Sequence, residues 1–225
     1  MTDTADDMMS EDAVATRCGF VALIGATNAG KSTLMNRLVG TKVSIVSHKV
    51  QTTRALVRGI VITGAAQIIF VDTPGIFAPK RRLDRAMVST AWGGAGDADV
   101  VALLVDARKG LAEDNIALIE KLKQQGRRKV LLLNKIDLVP RDTLLELAKT
   151  CNDLLAFSDT FMISAEKGDG CARLLEQLGA MMRPGPWLYP EDQVSDAPLR
   201  QLAAEITREK LFERLHQELP YESTV

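Results

Sequence analysis

One short segment restricts the fold of this chain more than any other: Gly25-Ala-Thr-Asn-Ala-Gly30-Lys31-Ser32. An apolar run at 21–24 precedes it, and residues 32–39 follow with helical composition as far as Gly40. Glycines permit backbone angles at which successive N–H groups face a single anion, and a helix N-terminus adds its positive dipole end. The pattern therefore predicts a strand, a phosphate-binding loop and a helix in direct succession.

The loop has the Gly-x-x-x-x-Gly-Lys-Ser spacing of nucleoside polyphosphate sites, in which the fixed positions have separate tasks. We expect the Lys31 ammonium to reach the β- and γ-phosphates and the Ser32 hydroxyl to bind Mg²⁺. The predicted nucleotide contacts in this segment are Gly25, Thr27, Asn28, Ala29, Gly30, Lys31, Ser32 and Thr33. A glycine-rich turn that binds no ligand is the alternative, and the flanking strand and helix argue against it.

A second motif, Asn134-Lys135-Ile136-Asp137, follows the apolar run 129–133. Open α/β sheets bind ligands at the carboxyl ends of their strands, so this position suits recognition of a base. The Asp137 carboxylate can accept hydrogen bonds from N1–H and the exocyclic amine of guanine, a donor pair that adenine lacks. We expect Lys135 to lie along the base and Asn134 to tie this loop to the phosphate loop. The two motifs together predict GTP and GDP as ligands; for the second motif alone, a surface turn is the alternative.

Two weaker signals complete the predicted nucleotide site. Asp72-Thr-Pro-Gly75 follows the predicted strand 67–71, where Asp72 would hold Mg²⁺ through water and the Gly75 N–H would contact the γ-phosphate. Ser164-Ala165-Glu166 follows a short predicted strand, and we expect its backbone N–H groups to approach guanine O6. A plain junction between strand and loop is the alternative at this second place.

The polar segment 41–55 lacks a clear helical or strand period, which is typical of a loop that orders when γ-phosphate and Mg²⁺ supply contacts. Of its adjacent threonines, Thr53 is favoured over Thr52 to complete the metal shell with Ser32 and Asp72. Ile76 follows Gly75, and isoleucine cannot polarise an attacking water, so we expect slow hydrolysis. The predicted catalytic residues are Lys31, Thr53, Asp72 and Gly75.

Predicted strands and helices alternate along the chain, which indicates an α/β fold of the P-loop NTPase type. The sheet should be mostly parallel, with helices on both faces. Runs at 56–63 and 66–71 flank Gly64-Ala65, which predicts an antiparallel hairpin at one sheet edge. Predicted helices include residues 143–157 and 171–182.

Composition excludes several classes of protein. The 225 residues carry 28 basic and 29 acidic side chains, so no overall field favours nucleic acid or a membrane surface. Three scattered cysteines predict neither a disulfide framework nor a zinc site, and suit a reducing cytoplasm. The acidic start is no signal peptide, and no apolar run approaches the roughly 18 residues of a membrane span. We expect a cytoplasmic monomer.

Four segments resemble the Era family of bacterial ribosome-assembly GTPases: Cys18-Gly-Phe-Val-Ala-Leu-Ile-Gly25, Gln51-Thr-Thr-Arg54, Asp72-Thr-Pro-Gly75 and the end of the chain from Leu199. The resemblance implies GTP hydrolysis with Mg²⁺, and partners in the small ribosomal subunit and its ribosomal RNA. It also implies peripheral association with the inner face of the cell membrane. Thr27 and Ala29 stand where the family usually has Pro and Val. Asn28 matches the position that helps to hold K⁺ in potassium-activated relatives.

The composition of the first residues and the resemblance from Cys18 onwards together divide the chain into four parts. Residues 1–16 form a flexible acidic leader, 17–183 the GTPase domain, 184–198 a linker, and 199–225 the first helix of a truncated KH domain. KH domains clamp single-stranded RNA with a Gly-x-x-Gly loop, and none follows residue 184, so direct RNA contact is not predicted for this chain. Apolar residues after 199 fall on two opposite helical faces, which predicts either two packing partners or a helix that breaks near Glu209.

Two alternatives remain open for the function. The chain could be a nucleotide-gated binding switch in which hydrolysis is incidental. It could also be the GTPase module of a tRNA-modification protein, which shares the Thr-Thr-Arg type of loop. That class would carry a large N-terminal partner domain, and 17 residues precede Cys18.

Overall fold

The computed structural model describes residues 15–46, 57–72 and 98–214. Most of the predicted acidic leader lies outside these ranges, as do Thr53, Gly75 and Ile76. The predictions made for those residues therefore remain predictions.

The core of the fold is one seven-stranded sheet. Its strands are β1 (Arg17–Gly25), β2 (Val57–Thr63), β3 (Ala66–Asp72), β4 (Val100–Asp106), β5 (Arg128–Asn134), β6 (Asp159–Ile163) and β7 (Arg183–Pro184). Six of them follow the order β2-β3-β1-β4-β5-β6, and β7 pairs with β1. The predicted hairpin is confirmed, because β2 pairs antiparallel with β3 at the edge. The short β7 is also antiparallel, whereas the remaining pairs are parallel.

Helices cover both faces of the sheet. They are α1 (Lys31–Val39), α2 (Glu113–Lys123), α3 (Arg141–Leu154), α4 (Cys171–Met181) and α5 (Leu199–Arg214), with a short 3-10 turn at Ile136–Leu138. Alternate residues of a strand point to opposite faces, so Leu23 packs with α1 and α4, whereas Ile24 packs with α2 and α3. The predicted α/β fold is confirmed.

Parallel pairing brings polar strand ends together at one edge of the sheet. Asp72 at the end of β3 aligns with Leu23, two residues before the phosphate loop begins. Asp106 at the end of β4 aligns with Asn134 at the end of β5, and Asn134 aligns with Ile163, the residue before Ser164. The predicted phosphate and base motifs therefore meet at the carboxyl ends of neighbouring strands.

The segment predicted as a linker lies against the sheet. The fully buried Gln67 accepts the N–H groups of Leu188 and Tyr189 at 2.8 Å and 3.0 Å, and donates to Tyr189 O at 2.7 Å. Further along, the Ile60 N–H of β2 donates to Val194 O at 2.9 Å. The bond from Ile60 satisfies part of the edge of β2. Together with the Gln67 bonds, it fixes the route of the chain into α5.

The last helix is continuous through Glu209, so the predicted break there is not adopted. Arg208 and Glu209 are buried, with exposed fractions of 5% and 3%. One face of α5 is therefore covered by the rest of the protein. Among the helices that the structure describes, none is long and apolar enough to cross a membrane.

The three cysteines are free thiols. Cys151 and Cys171 are buried and Cys18 is half-buried. Burial raises the pKa of Cys151 to about 11, which keeps this thiol protonated at neutral pH.

Candidate nucleotide-binding site

The phosphate loop has the geometry that its glycines predict. Gly30 has φ 101° and Asn28 has φ 61°, both in the left-handed region. A Cβ at position 30 would lie 2.3 Å from Asn134 Nδ2, and one at Gly25 would lie 2.6 Å from Leu104 O. The close approach to Leu104 O requires glycine at position 25 by packing alone. Position 30 requires glycine both by packing and by its left-handed backbone.

Lys31 is folded back onto the loop that carries it. Its Nζ donates to Gly25 O at 3.0 Å and to Ala26 O at 3.1 Å, and the residue is only 6% exposed. Burial lowers the pKa of Lys31 to about 8, and the negative charge of Asp72 opposes part of that shift. The loop thus holds a poorly hydrated cation, which is the partner that an incoming phosphate needs.

Nucleotide binding should be linked to proton uptake by Lys31. A negative phosphate favours the ammonium and raises its pKa again, so at pH 8.5 the protein should take up about half a proton or more on binding GDP. Calorimetry in two buffers of different ionisation enthalpy measures this uptake. At pH 6.5 the ammonium is already protonated, so its contribution should vanish. Identical binding enthalpies in the two buffers at pH 8.5 would contradict the assignment.

Two hydroxyl groups converge on the carboxylate of Asp72. Ser32 Oγ donates to Asp72 Oδ2 at 2.7 Å, and Ser44 Oγ donates to the same oxygen at 2.8 Å. All three residues are buried. Hard oxygen ligands of this kind suit Mg²⁺, which is usually held by one or two protein ligands together with water and nucleotide phosphates. The Ser32 and Asp72 oxygens therefore fit the predicted metal.

The described part of the chain contains no group of three or more His, Cys, Asp or Glu side chains that could hold a metal without a nucleotide. Thr53, the predicted third ligand, and Gly75 lie outside the described residues.

Asn134 joins three loops. Its Nδ2 donates to Ala29 O of the phosphate loop at 2.8 Å, and its Oδ1 accepts the Ala165 N–H at 3.0 Å. The residue is 1% exposed, so both hydrogen bonds are shielded from water. The phosphate loop, the Asn-Lys-x-Asp loop and the 164–166 loop are consequently held in a single arrangement.

Lys135 has a left-handed backbone, with φ 67°, and two acceptors. Its Nζ donates to Asn28 O at 2.8 Å and to Asp106 Oδ2 at 2.7 Å. Burial alone would raise the pKa of Asp106, but hydrogen bonds from Arg108 and Lys135 lower it below its usual range. Asp106 therefore stays ionised and fixes Lys135 beside the phosphate loop.

Asp137 stands at the start of the base-recognition turn. Its side chain is 10% exposed, and Lys167 Nζ lies 3.6 Å from its Oδ2. The hydroxyl of Ser164 holds the pKa of this carboxyl below its usual range, with Lys167 contributing. The carboxylate is thus kept as an acceptor, the form that guanine recognition requires.

The 164–166 loop is braced from two sides. The Ser164 N–H donates to Asp169 O at 3.0 Å, and the Gly168 N–H donates to Ser164 O at 2.7 Å. From α1, Arg37 Nε donates to Ala165 O at 3.1 Å and Arg37 Nη2 donates to Glu166 O. Arg37 lies outside the sequence motifs, because its role depends on a contact distant in sequence.

The segment before the predicted switch loop is fixed by α1 and α5. Asn36 Oδ1 accepts the N–H groups of Val43 and Ser44, both at 2.9 Å. On the other side, Glu209 Oε1 accepts the Val46 N–H at 3.0 Å, and Glu209 Oε2 pairs with Lys42 Nζ. Segment 42–46 therefore connects the Asp72 carboxylate, through Ser44, with the C-terminal helix.

The structure brings most predicted site residues to one edge of the sheet. Thr27 is half-buried beside the exposed Asn28, and Thr33 lines a cleft of about 390 Å³ with Arg37 and Ala165. The site residues that the motif analysis missed are Arg37, Ser44, Asp106 and Arg108. A buried strand that ends in aspartate next to the strand of Asn134 was the available signal for Asp106.

A phosphate loop, two buried hydroxyls on a strand-end aspartate, and an Asn-Lys-x-Asp loop on a mostly parallel sheet define the class of P-loop GTPases. Residues 20–135 match the family described as 50S ribosome-binding GTPase. The chain is 65% identical over 225 residues to GTPase Era of Rhizobium meliloti (strain 1021), covering 100% of this chain and 72% of that protein. The chain belongs to the GTPase Era family.

Two solved structures agree in fold. The first is Era in complex with MgGDPNP and nucleotides 1506–1542 of 16S ribosomal RNA, with TM-score 0.87 and 38% identity. It is matched over 92% of this chain and 70% of that one. The second is a variant of Aquifex aeolicus Era bound to GDP·AlF4⁻, with TM-score 0.84 and 38% identity over 91% of this chain and 70% of that one.

Proposed function

We propose that this chain binds GTP with Mg²⁺, hydrolyses it slowly to GDP and phosphate, and acts as a switch in assembly of the small ribosomal subunit. The observation that carries the proposal is the position of Asn134, which joins the phosphate loop to both base-recognition loops. A site assembled in this way binds phosphates and guanine at one place, and separate phosphate and base sites would not need the shared asparagine.

Each functional group has a defined task in this proposal. Lys31 exchanges its loop carbonyls for the β- and γ-phosphates, while Asp137 accepts from guanine N1–H and the exocyclic amine. The 164–166 backbone donates to guanine O6. Ser32, Asp72 and Thr53 would hold Mg²⁺, which neutralises negative charge on the phosphates when bound.

Hydrolysis is proposed to be slow because the residue that follows Gly75 is an isoleucine, which cannot orient an attacking water. Ile76 follows Gly75, and Asp72 is committed to the hydroxyls of Ser32 and Ser44. Unassisted GTPases turn over at about 10⁻⁴ to 10⁻² s⁻¹, and we expect this chain to fall in that range. K⁺ held near Asn28 is proposed as an accelerator of hydrolysis.

The ribosomal partner rests on the relatives. The solved Era relative contains 16S ribosomal RNA, a component of the small subunit, whereas the broader family description refers to the 50S subunit. We favour the small subunit because the relative with RNA is matched over most of this chain.

Turnover in the presence of purified subunits tests this choice. Small subunits should accelerate GTP hydrolysis, and large subunits at the same concentration should not. An effect of large subunits alone would contradict the proposed partner while leaving GTP hydrolysis intact.

A nucleotide-gated binding switch is a second candidate, favoured by the contacts of segment 42–46. Ser44 donates to Asp72, and two residues later the Val46 N–H donates to Glu209 of α5. A change in the partners of Asp72 is thus connected to the C-terminal helix. In this alternative, hydrolysis is incidental, and the bound nucleotide controls partner binding through the position of α5.

Glu209→Ala should uncouple α5 from nucleotide state. Wild-type protein is expected to show different hydrogen-exchange protection of α5 with GDP and with a non-hydrolysable GTP analogue, because the γ-phosphate should change the partners of Asp72 and, through Ser44, the position of segment 42–46. Glu209→Ala should lose this difference in protection, because alanine cannot accept the hydrogen bond from Val46 or pair with Lys42. Glu176→Ala, on the exposed face of α4, serves as the control. A nucleotide-dependent difference that persists in Glu209→Ala would count against this route.

We also propose a cytoplasmic, monomeric protein with peripheral association at the inner face of the membrane. Near-balanced charge and three free thiols support the cytoplasmic assignment. Membrane association rests on family resemblance alone. Sedimentation with vesicles of mixed anionic and neutral lipid tests it, and absence of binding would remove it.

A further inference from the structure

Arg37 belongs to the same helix that carries the phosphate-binding side chains. Helix α1 begins at Lys31 and Ser32, and Arg37 lies about one and a half turns later. Its guanidinium reaches the loop after β6, donating from Nε to Ala165 O at 3.1 Å and from Nη2 to Glu166 O. One helix therefore contacts both the proposed phosphate site and the proposed base site.

These two hydrogen bonds orient the peptide groups of the loop. In a trans peptide, C=O and N–H point in opposite directions. Holding Ala165 O towards α1 therefore turns the Glu166 N–H away from α1, and holding Glu166 O does the same for the Lys167 N–H. The Lys167 N–H indeed donates to Ser164 Oγ at 3.1 Å, on the side of Asp137. Arg37 thus controls the direction in which the loop presents its donors.

The residues after the 164–166 loop also pack against the Arg37 side chain. Gly168 has φ 93°, and a Cβ there would lie 3.8 Å from Arg37 Cδ, an ordinary contact distance. The guanidinium fork can serve two neighbouring carbonyl groups at once, whereas a lysine ammonium is a single point charge. The geometry is therefore specific to arginine.

We propose that Arg37 is a positioning residue for guanine recognition: it holds the 164–166 loop so that a backbone N–H meets O6 of the bound base. The inference rests on the proposed binding of guanine nucleotides. Arg37 acts through the loop and adds discrimination at O6, separate from the discrimination at N1 and the exocyclic amine by Asp137.

Nucleotide analogues separate this role from general support of the fold. IDP keeps O6 and lacks the exocyclic amine, whereas 6-thio-GDP keeps the amine and replaces O6 by sulfur, a weaker acceptor. In Arg37→Ala, the affinity for GDP and for IDP should fall about five- to tenfold, because one well-placed hydrogen bond has about that effect. Affinity for 6-thio-GDP should fall by less than about twofold.

Arg37→Lys and Arg127→Ala complete the experiment. Arg37→Lys keeps one donor and should recover part of the lost GDP affinity. Arg127 precedes the opposite end of β5 from Asn134, so Arg127→Ala should bind all three nucleotides as wild type does. Melting temperatures of the nucleotide-free variants show whether each is folded.

The outcomes are distinguishable. If wild-type protein fails to bind GDP, the proposed function itself is wrong. If wild type binds GDP and Arg37→Ala binds it equally well, the inference about Arg37 is overturned and the proposed function stands. Equal losses for GDP, IDP and 6-thio-GDP would assign Arg37 a purely structural role and also overturn the inference.

Discussion

Lys31→Ala should reduce GTP affinity by about 10²- to nearly 10⁴-fold, because losing one partner of a buried charge pair costs about 3–5 kcal/mol. Lys31 is 6% exposed, and the described loop offers its ammonium directly to incoming phosphates in exchange for Gly25 O and Ala26 O. Fluorescence titration with a labelled GDP or GTP measures the loss. Turnover at sub-saturating GTP should fall in parallel.

The loss of affinity should not come from unfolding. Burial lowers the pKa of Lys31 to about 8, so the ammonium is a destabilising group in the nucleotide-free protein below that pH. The free-energy cost of burying this charge falls as the pH rises from about 8 towards the pKa of the same lysine in the unfolded chain. At pH 7 Lys31→Met, which keeps the volume, should therefore be at least as stable as wild type. Lys149→Ala, on the exposed face of α3, is the binding control. Normal GTP binding by Lys31→Ala would remove the phosphate assignment.

Asp137→Asn should change which base the site prefers. The carboxylate pairs with two donors of guanine. Adenine lacks this donor pair and would leave the buried acceptor unpaired, which justifies discrimination against adenine nucleotides of about 10⁴-fold. An asparagine amide instead offers one acceptor and one donor, which matches N1–H and the 2-oxo group of xanthine. GDP affinity should fall and XDP affinity should rise until XDP is preferred.

Competition titrations of GDP and XDP against one labelled nucleotide measure the ratio of the two affinities in wild type and in Asp137→Asn. Asp142→Asn, in the exposed first turn of α3, is the matched control and should leave the preference for GDP unchanged. Unchanged GDP affinity in Asp137→Asn would show that another group reads the base.

The phosphate and base motifs were predictable from sequence because each occupies consecutive positions between a strand and the next element. Arg37, Asp106 and Ser44 were not, because each acts on a residue far away in the chain. Asp106 accepts a hydrogen bond from Lys135, which follows the neighbouring strand. Ser44 lies in a loop and donates to Asp72 at the end of β3. Single polar residues of this kind acquire a role only when the sheet aligns them.

Element boundaries and the route of the linker also needed tertiary information. The helix predicted at 143–157 starts at Arg141, directly after Pro140, and ends at Leu154. Proline is compatible with a helix start, and the extended backbone of Leu155 ends the helix. The segment at 184–198 has a linker composition, but the buried Gln67 holds it to the sheet. An isolated glutamine within an apolar strand was the available sequence signal.

The most direct test of the central claim is hydrolysis of GTP measured beside ATP, with saturating Mg²⁺, in KCl and in NaCl. GTP turnover is predicted at about 10⁻⁴ to 10⁻² s⁻¹ without a partner, with no ATP turnover above background. Faster GTP turnover in KCl alone would add K⁺ near Asn28 as a cofactor. Hydrolysis of ATP in preference to GTP, or equal hydrolysis of both, would contradict the assignment of the site to guanine nucleotides.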